Sequence, residues 1–192
     1  MDKVDLSKPA ENTTDTSVSI EDKGYYVLMD SITTASCRDA IKFIMRANFQ
    51  PKKLRNLTLV INSPGGTVDS AFALIDTMKG SAIPVHTVGL GCIASCGLLI
   101  FMSGTKGHRI ITPNTSILSH QWAWGSYGKE HELFATVREF ELTTKRIVDH
   151  YKKCTGLSEK VIRSQLLPPE DKWLDADEAL KYKLCDAVKE VY

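Results

Sequence analysis

The sequence lacks an excess of charge of either sign, and this argues against two classes of partner. It has 24 Lys and Arg against 23 Asp and Glu in 192 residues, a formal net charge of +1. Domains that bind nucleic acid or an anionic membrane surface normally carry a clear basic excess or a basic patch. We therefore expect no nucleic acid and no membrane among the partners.

Cysteine is scarce and odd in number, which argues against a disulfide framework. The five cysteines fall mostly in apolar segments, and Cys92 and Cys96 lack the C-x-x-C spacing of a zinc knuckle or a redox pair. Reduced thiols are typical of the cytosol. The sequence thus predicts a cytoplasmic protein without a metal site.

The first 17 residues lack the hydrophobic stretch of a signal peptide. Between positions 2 and 17 the apolar members are only Val4, Leu6 and Ala10. We expect a flexible tail over residues 1–17, because so few apolar side chains cannot order it. Residues 18–192 are expected to form one domain, as is typical of this length.

Charged residues are also missing from a run of 26 positions, Gly80 to Thr105. The run is long enough to cross a bilayer. However, Pro84 and several glycines interrupt it, so a continuous spanning helix is disfavoured. The run instead predicts a buried strand, a tight turn and a buried helix.

Apolar patterning along the rest of the chain predicts strands alternating with helices. This order favours βαβ units and a mostly parallel sheet, hence an α/β fold. Strands are predicted at 25–29, 57–61, 85–88, 110–111, 117–118 and 184–188, and helices at about 34–48, 68–80, 95–102, 158–167 and 176–182.

The longest periodic segment predicts a helix over residues 129–154. Leu133, Val137 and Phe140 begin its apolar stripe, and Gly156 follows its end. Such a helix would be about 39 Å long, which is long for a small domain. Its far end is expected either to lie on its own sheet or to pack against another subunit.

Ser95 is the candidate nucleophile. It lies among small residues at the predicted junction of strand and helix, where a serine Oγ can face outward. Ser95 can equally serve as the N-cap of its own helix. Cys92 and Cys96 are rival nucleophiles, but they have apolar neighbours and no adjacent cation to favour a thiolate.

A serine nucleophile needs a base, and His120 is favoured by elimination. His120 ends a predicted strand, and sites assemble at the ends of parallel strands. His86 lies inside a strand, and His108 lies beside Arg109 in a polar turn. The remaining two histidines have charged neighbours on the long helix and are expected in solvent: His131 and His150.

Asp171 is the candidate for a carboxylate that orients the base. Leu166-Leu167-Pro168-Pro169 precede it and Trp173-Leu174 follow it, so we expect it to be poorly solvated. The alternative is an ordinary solvated loop acid. Asp175 is expected to cap a helix with Glu178, and Asp186 to be a surface charge.

Four motifs, in order, resemble those of the ClpP family, the serine peptidase subunits of the caseinolytic (Clp) protease. They are N-S-P-G-G at 62–66, G-x-x-A-S-x-G at 91–97, S-H-Q at 119–121 and E-D-x-W-L-x-A-x-E-A at 170–179. The resemblance spans about Leu57 to Val188. It implies a crotonase-like α/β fold of repeated βαβ units, with a protruding handle helix at about 129–154.

The resemblance implies a serine endopeptidase that cleaves unfolded polypeptides or peptides. Ser95, His120 and Asp171 would form its catalytic triad. The backbone N–H groups of Gly66 and Cys96 would form its oxyanion hole. No cofactor is implied in this subunit, because ATP is used only by a partner unfoldase of the AAA+ class.

The resemblance also implies an assembly. Handle helices would interlock two rings of seven subunits into a homo-oligomer of 14, which encloses the active sites in a chamber. An unfoldase would feed unfolded chains into it.

Several departures identify the chain as a divergent member. Cys96 replaces a usual methionine, Trp122-Ala123-Trp124 stand where the family commonly has a proline and a glycine pair, and Lys183 replaces a glycine. Two alternatives stay open. One is a non-enzymatic ring or scaffold subunit, and the other is a crotonase-type enzyme that stabilises a thioester enolate.

Overall fold

A mostly parallel sheet forms the centre of the fold, as the sequence predicts. The computed structural model describes residues 18–51 and 54–191, so the tail expected over residues 1–17 lies outside the described residues. The strands are β1 Tyr25–Leu28, β2 Leu57–Ser63, β3 Val85–Ala94, β4 Arg109–Ile111, β5 Ser116–Ser119, β6 Lys172–Leu174 and β7 Ala187–Val188.

The strand order is β1-β2-β3-β4-β7, with β5 beside β3 and β6 beside β5. Only the β5–β6 pair is antiparallel among the strand pairs of the described residues. Because the β1, β2 and β3 strands are parallel and joined through helices, the predicted α/β class with βαβ units is confirmed.

Helices cover the sheet, and the predicted long helix is present. They are α1 Thr34–Phe49, α2 Val68–Gly80, α3 Cys96–Met102, α4 Glu130–Thr155, α5 Glu159–Val161 and α6 Ala176–Lys181, with a 3-10 turn at Glu21–Lys23 and a π-helical turn at Ile162–Leu166. Helix α1 packs on α2, α2 on α3, and α3 on α4. In the part of the chain that the structure describes, none of these helices is long and apolar enough to cross a membrane.

Capping residues fix where several helices begin and end. Thr33 and Ser36 form a capping box at the start of α1, and Asp175 and Glu178 form the predicted one at the start of α6. Gly156 adopts a left-handed conformation after α4 and ends it, as expected.

The uncharged run forms β3 and α3, but β3 is longer than predicted. The sequence predicts a turn from Gly91, whereas the strand continues to Ala94. Gly91 has φ 65° and lies where β3 stops pairing with β4 and starts pairing with β5. A left-handed glycine lets the strand bend there without ending. The predicted last strand is shorter than expected, since only Ala187–Val188 pair with β4.

His150 is buried, and the expectation that it lies in solvent is wrong. Only 3% of its surface is exposed, and its Nε2 lies 2.9 Å from the backbone oxygen of Leu99, to which it donates. His150 is one helical turn from Ile147, on the side of α4 that faces the core. The charged residues next to His150 in the sequence lie on other sides of α4 and are more exposed. Burial lowers the pKa of His150 to about 4.

This buried histidine should make the stability of the fold depend on pH. An unfolded histidine takes up a proton as pH falls through about 6.5, whereas folded His150 stays neutral until about pH 4. Stability is therefore complete above the unfolded pKa and declines as pH falls below it. Between pH about 7.5 and about 5 we expect His150 to lower the free energy of unfolding by about 2 kcal/mol.

Urea unfolding tests this dependence. The variant His150→Gln should lack the loss of stability, and a variant of an exposed histidine, His131→Gln, should retain it. Equal pH dependence in wild type and His150→Gln would contradict the assignment.

Lys183 adopts a backbone conformation that favours glycine. Its φ is 60°, and it directly follows the last turn of α6. The N–H of Leu184 donates to the oxygen of Ala179 at 2.9 Å, which ties the chain back over the helix end. A left-handed residue with a Cβ is strained by about 1–2 kcal/mol.

Lys183→Gly should therefore stabilise the protein. We expect a gain of about 0.5–1 kcal/mol in the free energy of unfolding, because relief of strain exceeds the added flexibility of the unfolded chain. Lys181→Gly, inside the last turn of α6, is the matched control and should destabilise by up to about 1 kcal/mol. Urea unfolding measures both, and a destabilised Lys183→Gly would refute the strain.

Candidate active site

Two neighbouring parallel strands bring Ser95 and His120 to the same edge of the sheet. Ser95 directly follows β3, and His120 directly follows β5. The strands pair with Ala94 opposite Leu118, and the N–H of Ser95 donates to the oxygen of Leu118 at 2.9 Å. The carboxyl ends of parallel strands meet at one edge, as the choice of His120 assumed.

Strand β6, which the sequence analysis did not predict, delivers Asp171. It runs antiparallel to β5 with Lys172 opposite Ser119, so that Asp171 lies beside His120. The distance from His120 Nδ1 to Asp171 Oδ1 is 3.6 Å. This is an ion-pair distance and longer than a formed hydrogen bond. The imidazole therefore presents Nδ1 to the carboxylate and keeps Nε2 for another group.

Asp171 is more solvated than expected. Its side chain is 63% exposed in this single chain, against 24% for His120. The apolar residues around it in sequence do not bury it: Leu166 and Leu167 lie in the core, and Trp173 is itself 54% exposed. Apolar neighbours in the sequence are therefore not evidence that Asp171 itself is buried.

Ser95 has an unusual backbone, with φ 54° and ψ −122°. It occupies the N-cap position of α3, but its side chain makes no capping hydrogen bond, so the capping alternative is not supported. Gly65 lies directly against it: a Cβ on Gly65 would come within 2.6 Å of the Ser95 Cβ. Conformations of this kind are strained and cluster at functional sites.

The turn at Gly65 and Gly66 lies beside the same junction, and its hydrogen bonds fix the direction of a backbone N–H. The N–H of Ile32 donates to the oxygen of Gly65 at 2.8 Å, and the N–H of Thr67 donates to the oxygen of Ile32 at 2.7 Å. In this parallel bridge the N–H and C=O of the central residue, Gly66, point away from Ile32. The Cys96 Sγ donates to that C=O at 3.1 Å. The N–H of Gly66 is thus turned towards the start of α3.

Cys96 offers a second backbone N–H at this junction. It is the first residue of α3, so its N–H has no acceptor within the helix. Its thiol is 3% exposed, and burial raises the pKa of that thiol. A buried thiol that is hard to ionise is a poor nucleophile, so the burial of Cys96 argues against it as a rival to Ser95.

The other candidate histidines lie elsewhere. His86 and His108 stack on each other with ring centroids 3.9 Å apart, and burial, followed by His108, lowers the pKa of His86. Arg109 does not lie in a polar turn as expected: it is buried, and its Nε donates to Asp186 at 2.9 Å. Asp186 is therefore a partner of Arg109 and not a surface charge.

Sequence reasoning missed two contributors to the site. One is β6, whose three residues are too few to show a pattern. The other is Gly65, whose role depends on a contact with a residue 30 positions away. Its presence in a two-glycine turn was the only signal.

Comparison with known proteins places the chain in a family. The Clp protease family matches residues 9–191, which begins well before Leu57. Proteolytic subunit 1 of the ATP-dependent Clp protease from Chlamydia abortus is 37% identical over 165 residues, 83% of this chain and 82% of that protein. The same subunit from Chlamydia caviae is 36% identical over 161 residues, 83% of each chain. That from Chlamydia trachomatis serovar D is 34% identical over 165 residues, 83% of this chain and 82% of that protein. On these matches and the motifs that the fold brings together, the chain belongs to the Clp protease family.

Proposed function

We propose that this chain is a serine endopeptidase that cleaves unfolded polypeptides or peptides through Ser95, His120 and Asp171. The observation that carries the proposal is that the parallel strands β3 and β5 end together, directly before Ser95 and His120, and that His120 Nδ1 lies 3.6 Å from Asp171 Oδ1. The relatives are named proteolytic subunits, which favours an enzyme over a scaffold subunit or a crotonase-type enzyme.

Acylation begins when Ser95 Oγ attacks the carbonyl carbon of the substrate peptide. His120 Nε2 takes the hydroxyl proton, and Asp171 holds the imidazole in the required tautomer through Nδ1. The negative charge that develops on the carbonyl oxygen is stabilised by the N–H groups of Gly66 and Cys96. His120 then gives the proton to the leaving amine, and the peptide bond breaks.

Deacylation repeats these steps with water. His120 takes a proton from water, the resulting hydroxide attacks the acyl-enzyme, and Ser95 leaves with the proton returned from His120. The 3.6 Å separation between His120 and Asp171 is consistent with this role, because catalytic hydrogen bonds are often long before substrate binds.

The long helix α4 supports a homo-oligomer. In the second half of α4 the residues of its apolar stripe are buried, among them Ile147, Val148 and Tyr151. In the first half of α4 the same face is exposed. There Leu133 is 37% and Val137 46% exposed. A partner helix would bury these side chains. We propose seven-membered rings stacked as a 14-mer, with residues 18–192 as one peptidase domain in each subunit.

The proposed setting is the cytoplasm, with an AAA+ unfoldase as partner. The five free thiols fit a reducing compartment. The relatives are named as subunits of an ATP-dependent protease. In our proposal ATP serves the unfoldase, and this subunit uses neither a cofactor nor a metal.

Labelling with a fluorophosphonate tests the nucleophile. Wild type in its native oligomer should gain one label per chain, and Ser95→Ala should gain none, because only an activated serine reacts. Ser126→Ala, in the loop before α4, is the matched control and should label like wild type. Intact mass gives the readout. An unlabelled wild-type oligomer, or a labelled Ser95→Ala, would refute the proposal.

Native mass spectrometry tests the role of α4. Val137→Glu should prevent ring stacking, because it places a charge where an apolar contact is proposed. The folded subunit tolerates it, since Val137 is 46% exposed. Ala135→Glu, exposed on the opposite face of α4, should assemble like wild type. Full 14-mers from Val137→Glu, or a wild type that is monomeric at all concentrations, would contradict the proposed assembly.

A further inference from the structure

The segment that follows His120 is anchored on both sides. Gln121 Nε2 donates to the backbone oxygen of Leu167 at 3.0 Å. On the other side, Trp122 Nε1 donates to Thr144 Oγ1 of α4 at 3.0 Å. The catalytic base is therefore followed directly by two residues that tie its segment to two other parts of the fold.

Aromatic contacts reinforce the anchor on α4. The Trp122 ring stacks on Phe140 with centroids 5.1 Å apart and planes at 23°. Trp124 contacts the same Phe140 edge-on, also at 5.1 Å. One phenylalanine of the long helix is thus held between two tryptophans of the loop. We call Trp122, Trp124, Phe140 and Thr144 the aromatic clasp.

The clasp spans a gap in the packing. A cavity of about 170 Å³ lies between the loop and α4, and both Trp122 and Phe140 line it. Apolar side chains of α4, Ile147 and Val148, form its floor. Because the segment does not rest on close-packed atoms there, its position depends on the clasp contacts more than on bulk packing.

His120 lies between two fixed points. On its N-terminal side, β5 ends at Ser119, whose Oγ lies 2.7 Å from the buried Tyr151 hydroxyl of α4. On its C-terminal side is the clasp. A base must be held within hydrogen-bond reach of its nucleophile, and an error of about 1 Å can lower the rate by about 100-fold.

We propose that Trp122 is a positioning residue for His120: seated on Phe140 and Thr144, it holds the base at the distance from Ser95 that proton transfer requires. The inference rests on the proposed function, since it assigns His120 as the base. The hydrogen bond and the ring stacking of Trp122 are both made to α4, through Thr144 and Phe140, so the proposed role acts through His120.

The test compares variants of the assembled protein by the rate per active site. Active sites are counted by the final extent of fluorophosphonate labelling, because a less effective base slows the labelling without changing its endpoint, and a short chromogenic peptide gives kcat and KM. Trp122→Ala should lower kcat per labelled site by about 10-fold or more with little change in KM, because proton transfer is impaired and peptide binding is not. Trp122→Phe keeps the ring on Phe140 and should recover most of the rate. Tyr127→Ala removes a fully exposed aromatic of the same loop and should match wild type.

The outcomes separate this inference from the proposed function. A wild type whose Ser95 does not label refutes the proposed function itself. If wild type labels but Trp122→Ala keeps its kcat per site, or changes only KM, the positioning role alone is overturned. A purely structural role would reduce the number of labelled sites and leave kcat per site unchanged. Should Trp122→Ala fail to assemble, Thr144→Val decides: a lower kcat per site supports the role, and an unchanged one overturns it.

Discussion

The contact between Gly65 and Ser95 is the constraint on which the site depends. The turn at Gly65 and Gly66 approaches Ser95 and Ile32 so closely that neither glycine can carry a Cβ: one on Gly65 would lie 2.6 Å from the Ser95 Cβ, and one on Gly66 would lie 2.2 Å from the oxygen of Ile32. This approach holds Ser95 at φ 54°, a conformation that an isolated strand-to-helix turn would not keep. In the proposed mechanism the same approach would keep the N–H groups of Gly66 and Cys96 near Ser95.

The absence of charge around Ser95 follows from the same packing. Strand β3 lies between neighbours on both sides, and every residue of α3 is buried. A charged side chain in either element would lose its hydration without a partner. Ser95, the proposed nucleophile, thus lies between buried, apolar elements, whereas His120 and Asp171 lie beside β5 and β6 and are more exposed to solvent. A preorganised backbone with adjustable polar groups beside it suits acyl transfer.

Much of this arrangement could be predicted because periodicity and motifs are local. The strand at Leu57, the helices at Val68 and Glu130 and the cap at Asp175 all lie where apolar spacing and capping residues place them. The choice of His120 needed the elimination of the other histidines and the rule that sites assemble at the ends of parallel strands.

The remainder depends on contacts distant in sequence. His150 is buried because α4 turns that side towards α3, whereas its sequence neighbours are charged. Asp171 is exposed although Leu166 and Leu167, close to it in sequence, are buried in the core. Gly91 continues β3 when a turn was expected, since β5 offers a new partner beyond it.

Interaction between Ser95 and His120 in one proton transfer is the central claim, and a double-mutant cycle on kcat tests it most directly. Ser95→Ala, His120→Ala and the double variant are compared with wild type in the assembled state on one peptide substrate. If the two side chains act as a unit, each single variant loses about 10⁴-fold or more, and the double variant is hardly slower than either. The account would be contradicted if the fold-loss in kcat of the double variant were the product of the two single losses. A Ser95→Ala variant that retains the wild-type rate would also contradict it.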